Sequence, residues 1–544
     1  MIKAYHNGNI YTADFSAPRA EAFIVEDGKF SFVGKDKDLP DCDEKTDLMG
    51  NCVIPGLVDS HCHIMSGILN RSLNMLKLEG DLHPEELGKG IESLLSGRSF
   101  PEGKPLALYG IDLTKGDFSA KDIDIAISDR PCGVFSADGH ALLLNTKALK
   151  ALEISRDTAD RDENSYFKRD EEGNPTGLVI EIPAMMSCKG LFESEEKGKG
   201  EETFKELQRQ YQSLGYTCVF DAMTSHDEDR EYYDILKNLD REGLLSLRVV
   251  TSFCYRGEDS VPLKEALRIM KGLRRDYSSE NVFPDTLKMI ADGTVEEHSA
   301  LLFEPYSDKE GGFGSSLISP EEMQRAAALF GKEGFSIHIH AIGDRAVSRA
   351  LDALIPLKGI RGTRTIAHNQ LYGSEDIDRM AGDGDIFFQT TPHWMKGDEY
   401  TRERLGEKRY LSQFPVGTMV RNGVRLTFGS DEVCDGEASN PFAGMYCALT
   451  RGDKELCGRE ALPPESERIG REEALYAYTI NGAAQLGLSD ITGSISPGKS
   501  ADFLVLDRDI ITCPLSELKE TEVRETYFRG RRTKQSSYFK NYPL

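Results

Sequence analysis

Eight segments between residues 53 and 431 alternate with helical stretches, and this alternation limits the fold more than any other feature. The segments are 53–63, 217–223, 247–253, 286–292, 335–341, 363–369, 386–392 and 425–431. Helical patterns follow most of them, as at 321–333 and 345–357. Strands that alternate with helices predict a parallel sheet or barrel. Eight such units predict an α/β fold, a (β/α)8 TIM barrel, whose working face is the C-terminal end of its strands.

About 150 residues lie between the first two strands, too many for one crossover. Residues 70–210 therefore read as an insertion domain that rises from the catalytic face and covers the active site. It carries strand-like pieces at 106–112 and 133–137 and a polar, loop-like run at 155–165. The two chain ends share a different character, with short strands and tight turns. Asn7-Gly8 and Asp27-Gly28 are hairpin signals. Strand-like runs recur near Phe503-Leu504-Val505-Leu506 and Glu522–Arg531. Residues 1–52 and 485–544 are expected to form one small β-sandwich, with 53–69 and 211–484 as the catalytic barrel.

Composition narrows the function. The net charge is −25, and a surface of that sign repels phosphate backbones, so nucleic acid is not an expected partner. No long apolar run indicates a membrane span, and the N-terminus lacks the apolar core of a signal peptide. A cytoplasmic protein is expected, with no membrane partner. Eleven cysteines, odd in number and without a Cys-x-x-Cys pattern, argue against a disulfide framework and a zinc ribbon. A homodimer is the default expectation for assembly.

The strand ends carry the chemistry. The first ends in His61-Cys62-His63, and residues i and i+2 of a strand share a face, so the two imidazoles can reach one ion together. The fifth ends in His338-Ile339-His340, the sixth carries His368, and the eighth ends in Asp431. Each residue alone reads equally as a hydrogen-bonded core histidine or a helix-capping aspartate. Ligand-type residues at four strand ends on one face point to a divalent ion. Lys288, on the fourth strand, offers no lone pair as an ammonium. It reads as a core or substrate-contacting lysine, or as a bridging ligand after its amine takes up carbon dioxide as a carbamate.

These residues resemble the amidohydrolase superfamily, and within it amidohydrolase family 3, the branch that includes N-substituted formamide deformylases. The resemblance rests on Ile54-Pro55-Gly56-Leu57-Val58-Asp59-Ser60-His61-Cys62-His63, Ser136-Ala137-Asp138-Gly139-His140 with Asn145, and Gly173 with Gly177 to Glu181. Lys288 with Asp292-Gly293, His340-Ala341-Ile342-Gly343-Asp344, Gly429-Ser430-Asp431 and the 493–502 motif extend it over almost the whole chain. It implies a barrel with a β-sandwich from both ends and one or two divalent ions, usually zinc. The implied ligands are His61, His63, His340, His368 and Asp431, with Lys288 as the carboxylated bridge. His340 is favoured over His338, which faces the same way but sits deeper.

Two departures stand out. Gly110-Ile111-Asp112 occupies a place where such chains often have Gly-Trp-Asp. Glu432-Val433-Cys434-Asp435 replaces a small or aromatic residue followed by Pro, which adds carboxylates beside the site and points toward an amine-bearing substrate. The expected reaction is metal-assisted hydrolysis of a non-peptide carbon–nitrogen bond in a small molecule, with Asp431 moving the proton. His140, Asp292, His298, His393 and Trp394 are the candidate substrate contacts, while Asp138 and Asp344 are expected to hold loops. Deamination, lactone hydrolysis and isomerisation are rival reactions on this scaffold. A non-catalytic metal-binding module is the rival of another class.

Overall fold

The computed structural model describes residues 2–72, 75–78, 82–98, 100, 103–113, 116–136, 141–161, 165–181, 184–185, 187–192, 199–224, 230–434, 439–452 and 460–533. The chain divides into two compact units, Met1–Gly67 with Phe204–Leu544, and Ile68–Thr203. Among the described residues no helix is long and apolar enough to cross a membrane.

The larger unit holds an eight-stranded, all-parallel sheet in sequential order. Its strands are β1 (Leu57–Cys62), β2 (Tyr216–Asp221), β3 (Arg248–Cys254), β4 (Val282–Ile290), β5 (Ser336–Ala341), β6 (Arg364–His368), β7 (Ile386–Thr390) and β8 (Leu426–Phe428). β1, β2, β6 and β7 are buried at every position, as expected of strands covered on both faces. Helices Pro320–Lys332 and Asp344–Leu354 flank β5, where the sequence predicts them. The sheet nearly closes into a (β/α)8 barrel. Hydrogen bonds beyond the last strand finish the seam: Ser60 Oγ donates to Phe428 O, Asp431 N to His61 O, and His63 N to Glu432 O.

The sequence treats 53–63 as one strand, and the structure breaks it at Gly56. Cys52–Pro55 lies in a different sheet, between Phe503–Leu506 and Asn9–Tyr11, and only Leu57–Cys62 enters the barrel. Any side chain at Gly56 would collide at its first carbon with the Thr217 side chain, so the crossing point admits only glycine. Residues 52–55 thus belong with the terminal strands, beyond the expected boundary at 52.

Those terminal strands build two facing sheets. One runs Lys29–Gly34, Ala22–Glu26, Ile2–His6, Glu44–Asp47. The other runs Arg531–Thr533, Val523–Phe528, Phe503–Leu506, Cys52–Pro55, Asn9–Tyr11, Arg19–Ala20. Tyr5, Phe23, Phe30, Val53, Phe503 and Tyr527 fill the space between. The turn at Asp27-Gly28 forms the expected hairpin, with both residues at positive φ. Asn7-Gly8 does not. The strands on its two sides belong to different sheets, because each finds a better apolar partner there than in its neighbour along the chain.

The smaller unit is a six-stranded mixed sheet that includes Leu106–Ile111 and Cys132–Ser136, near the expected strand-like pieces. Alternate residues feed two separate apolar clusters, one with Leu87, Ile91, Leu108 and Leu143, the other with Ala107, Leu142, Leu144 and Val179. The sheet is therefore covered on both faces. Asp138 and His140, and Asp435, lie outside the described residues.

Candidate metal centre

The barrel seam brings the first ligands together. Gly429 packs so tightly on the His61 backbone that a Cβ there would lie 2.5 Å from His61 N. Beyond it, Ser430 N and Oγ donate to the two carboxylate oxygens of buried Asp59, at 2.9 and 2.6 Å. Asp431 then turns into the left-handed region at φ 56. His368, at the end of β6, does the same at φ 72. For such residues this conformation costs about 1–3 kcal/mol each, and such strain gathers at functional sites.

His61, His63 and Asp431 form one group whose ligand atoms all lie within 4.8 Å of one another. Asp431 Oδ1 stands 2.8 Å from His63 Nε2 and 3.3 Å from His61 Nε2. His368 Nδ1 lies 3.7 Å from Asp431 Oδ2. Lys288 Nζ lies 3.5 Å from His61 Nε2. His340 is one step further out, its ring 4.4 Å from that of His368 and its Nε2 3.7 Å from Asp292 Oδ1. The structure thus gathers three of the predicted ligands into a single cluster and sets His368, Lys288 and His340 around it.

Burial first, and the Lys288 charge second, hold His61 and His338 well below the ordinary histidine range. Burial and the neighbouring His340 do the same to His368. Neutral imidazoles are the form that donates a lone pair to a cation. Burial also draws the Lys288 ammonium down to about 8, which leaves a share of free amine near neutral pH. Among the described residues, two buried ring atoms of this group, His63 Nδ1 and His368 Nδ1, have no hydrogen-bond partner. A tetrahedral ion with bonds of about 2.0–2.1 Å would space its donors about 3.3 Å apart, which is the His61–Asp431 separation. Imidazoles, a carboxylate and orphaned ring nitrogens fit a divalent cation.

The predicted substrate contacts divide. Trp394 stacks on His368 at 5.5 Å and 17° and is 37% exposed, so one face backs the site and part of the ring stays open. His393 is buried. His298 pairs with Asp308 at 2.8 Å, and its ring meets Tyr306 edge-on. Asp292 is fully buried and accepts the amides of Leu301, Ile342 and Gly343 at 2.8–3.0 Å, so it holds the loop after β5. Asp344 takes the amides of Phe303 and Arg345, the loop-holding part expected of it.

Sequence reasoning passed over Asp59. It lies two residues before His61 on the same strand face, and that spacing was the available signal. Burial raises its carboxyl to about 7 against the bonds from Ser430.

The sequence profile of the amidohydrolase family matches residues 44–533. Exoenzymes regulatory protein AepA of Pectobacterium carotovorum subsp. carotovorum is 28% identical over 442 residues, covering 78% of this chain and 92% of its own. The N-substituted formamide deformylase of Arthrobacter pascens is 25% identical, covering 96% of each chain. The crystal structure of an uncharacterised metal-dependent hydrolase from Pyrococcus horikoshii OT3 superposes with a TM-score of 0.72 at 23% identity, over 95% of this chain and 99% of the other. At that identity the likeness speaks to the fold.

Proposed function

Because the chain belongs to the amidohydrolase family, a family of metal-dependent hydrolases, we propose that it hydrolyses a non-peptide carbon–nitrogen bond in a small molecule, such as an N-formyl or N-acyl amine. The observation that carries this reading is the cluster of His61, His63 and Asp431 at the barrel seam, ringed by buried neutral imidazoles. The named activity of the Arthrobacter relative supports the bond type.

One or two divalent ions, zinc by donor chemistry, would be held by His61, His63 and Asp431, with His340, His368 and Lys288, once carboxylated by carbon dioxide, completing the set. When bound, such an ion supplies Lewis acidity, lowering the pKa of water and polarising a carbonyl. This chain's own residues do the rest. Asp431 takes the proton of the attacking water and returns it to the leaving nitrogen. The left-handed backbone at Asp431, held through Ser430 by Asp59, keeps the carboxylate aimed at both imidazoles. Trp394 forms one wall for the substrate, and the Glu432 side favours an amine-bearing leaving group.

The test is a screen of zinc-loaded protein against N-formyl and N-acyl amines, with aminopurines, esters and lactones alongside. Turnover of an amide is the expected result. Turnover confined to aminopurines or lactones would move the reaction class, and no turnover of any compound would overturn the hydrolase reading.

A further inference from the structure

His338 is the deeper of two histidines on β5, and its surroundings give it a task. It is 1% exposed, stands in register with Lys288, and packs on the Phe220 ring at 4.8 Å. Its Nε2 lies 3.1 Å from His61 Nδ1. Two imidazoles in that contact share one proton between the facing nitrogens. An imidazole that gives its Nε2 lone pair to a cation carries its proton on Nδ1, and the nitrogen that faces His61 Nδ1 is His338 Nε2.

We propose that His338 is a positioning residue: its Nε2 accepts the Nδ1–H of His61 and so fixes the tautomer whose bare Nε2 faces Asp431. This rests on the reading of His61 as a metal ligand. The partner of a metal-binding histidine is usually a carboxylate, a carbonyl or water. Here a second imidazole takes that place. His338 Nε2 is committed to His61 and is not free to bind the ion. The geometry also explains why a polar side chain occupies a site walled by Phe220, where an apolar one would pack without a partner.

The experiment compares wild-type protein with H338F and H338Q. Zinc affinity is measured by chelator competition, and the histidine tautomers of the metal-free protein by 15N spectra. H338F is expected to bind zinc about 10–100-fold more weakly, with His61 losing its single tautomer. H338Q, whose amide oxygen keeps an acceptor, should recover most of the affinity and the Nδ1–H signal. If H338F does not fold, as judged by circular dichroism, H338M serves in its place. Affinity within twofold of wild type in the apolar variant would overturn the inference. So would loss of one directly bonded imidazole from the zinc absorption spectrum of that variant, since His338 would then be a ligand. A wild-type protein that binds no zinc overturns the metal reading itself, which is a different result.

Discussion

The barrel mouth and the terminal sandwich lie in one compact unit and are built on opposite terms. In the sandwich, Phe503 and Tyr527 stack at 4.2 Å and 9°, Tyr5 and Phe23 at 4.9 Å, and the apolar faces of two sheets close on each other. Its buried carboxylate, Asp502, is engaged by Arg248, Thr492, Ser500 and the Arg529 amide. At the mouth, by contrast, His63 and His368 have, among the described residues, ring nitrogens without hydrogen-bond partners, and His368 and Asp431 hold a strained backbone. Groups that satisfy one another serve stability. Groups gathered on strained backbone around one carboxylate mark a functional site.

That contrast can be broken by experiment. The largest effect is expected of D431N, which should lower kcat by about 10²–10⁴-fold while the melting temperature hardly moves, since Asn tolerates the left-handed conformation. Steady-state kinetics beside a thermal melt would show it, and retained activity would remove Asp431 from proton transfer. F503A should give the mirror image: a loss of about 3–5 kcal/mol of stability, seen in denaturant titration, with kcat preserved where the protein is folded. If F503A instead silenced the folded enzyme, the two regions would not be separable.

A third test uses pH. Burial depresses His393 from 6.5 to about 3. Between those values the unfolded chain binds the proton and the folded chain does not. The stability from keeping this imidazole neutral is therefore complete above about 6.5 and is lost as pH falls toward 3. The difference in unfolding free energy between H393F and wild type should shift in favour of the variant on going from pH 7 to 4.5, and a difference independent of pH would contradict it. The smallest effect is expected of W394A. Loss of the stacked wall should raise KM by a few-fold, within the about 0.5–1.5 kcal/mol of an aromatic contact, and leave the melt unchanged.

The barrel was legible because buried parallel strands read as apolar runs, and the ligand types at their ends stood out against that background. Asp27-Gly28 was legible for the same local reason. Asn7-Gly8 misled because the hairpin signal is local, whereas the choice of partner strand is made by the Tyr5–Phe503 core hundreds of residues away. The setting of Asp292 is hidden in a similar way. A carboxylate at a strand end looks available in the sequence, and only the fold reveals three amides converging on it. The contact of His338 with His61 depends on the relative depth of β1 and β5 across the barrel, which no pattern along one strand encodes.

The crossing at Gly56 has a consequence for synthesis. The strand that delivers His61 continues directly from Cys52–Pro55, and that segment is sheeted against Phe503–Leu506. The residues nearest the first candidate ligand therefore leave the ribosome hundreds of residues before the strand that anchors them. A nascent chain carrying every candidate ligand from His61 to Asp431 still lacks the edge on which the first of them is hung. Assembly of this site waits on residues 503–506, and a chain cut before residue 503 should bind a divalent ion poorly even though no candidate ligand is missing.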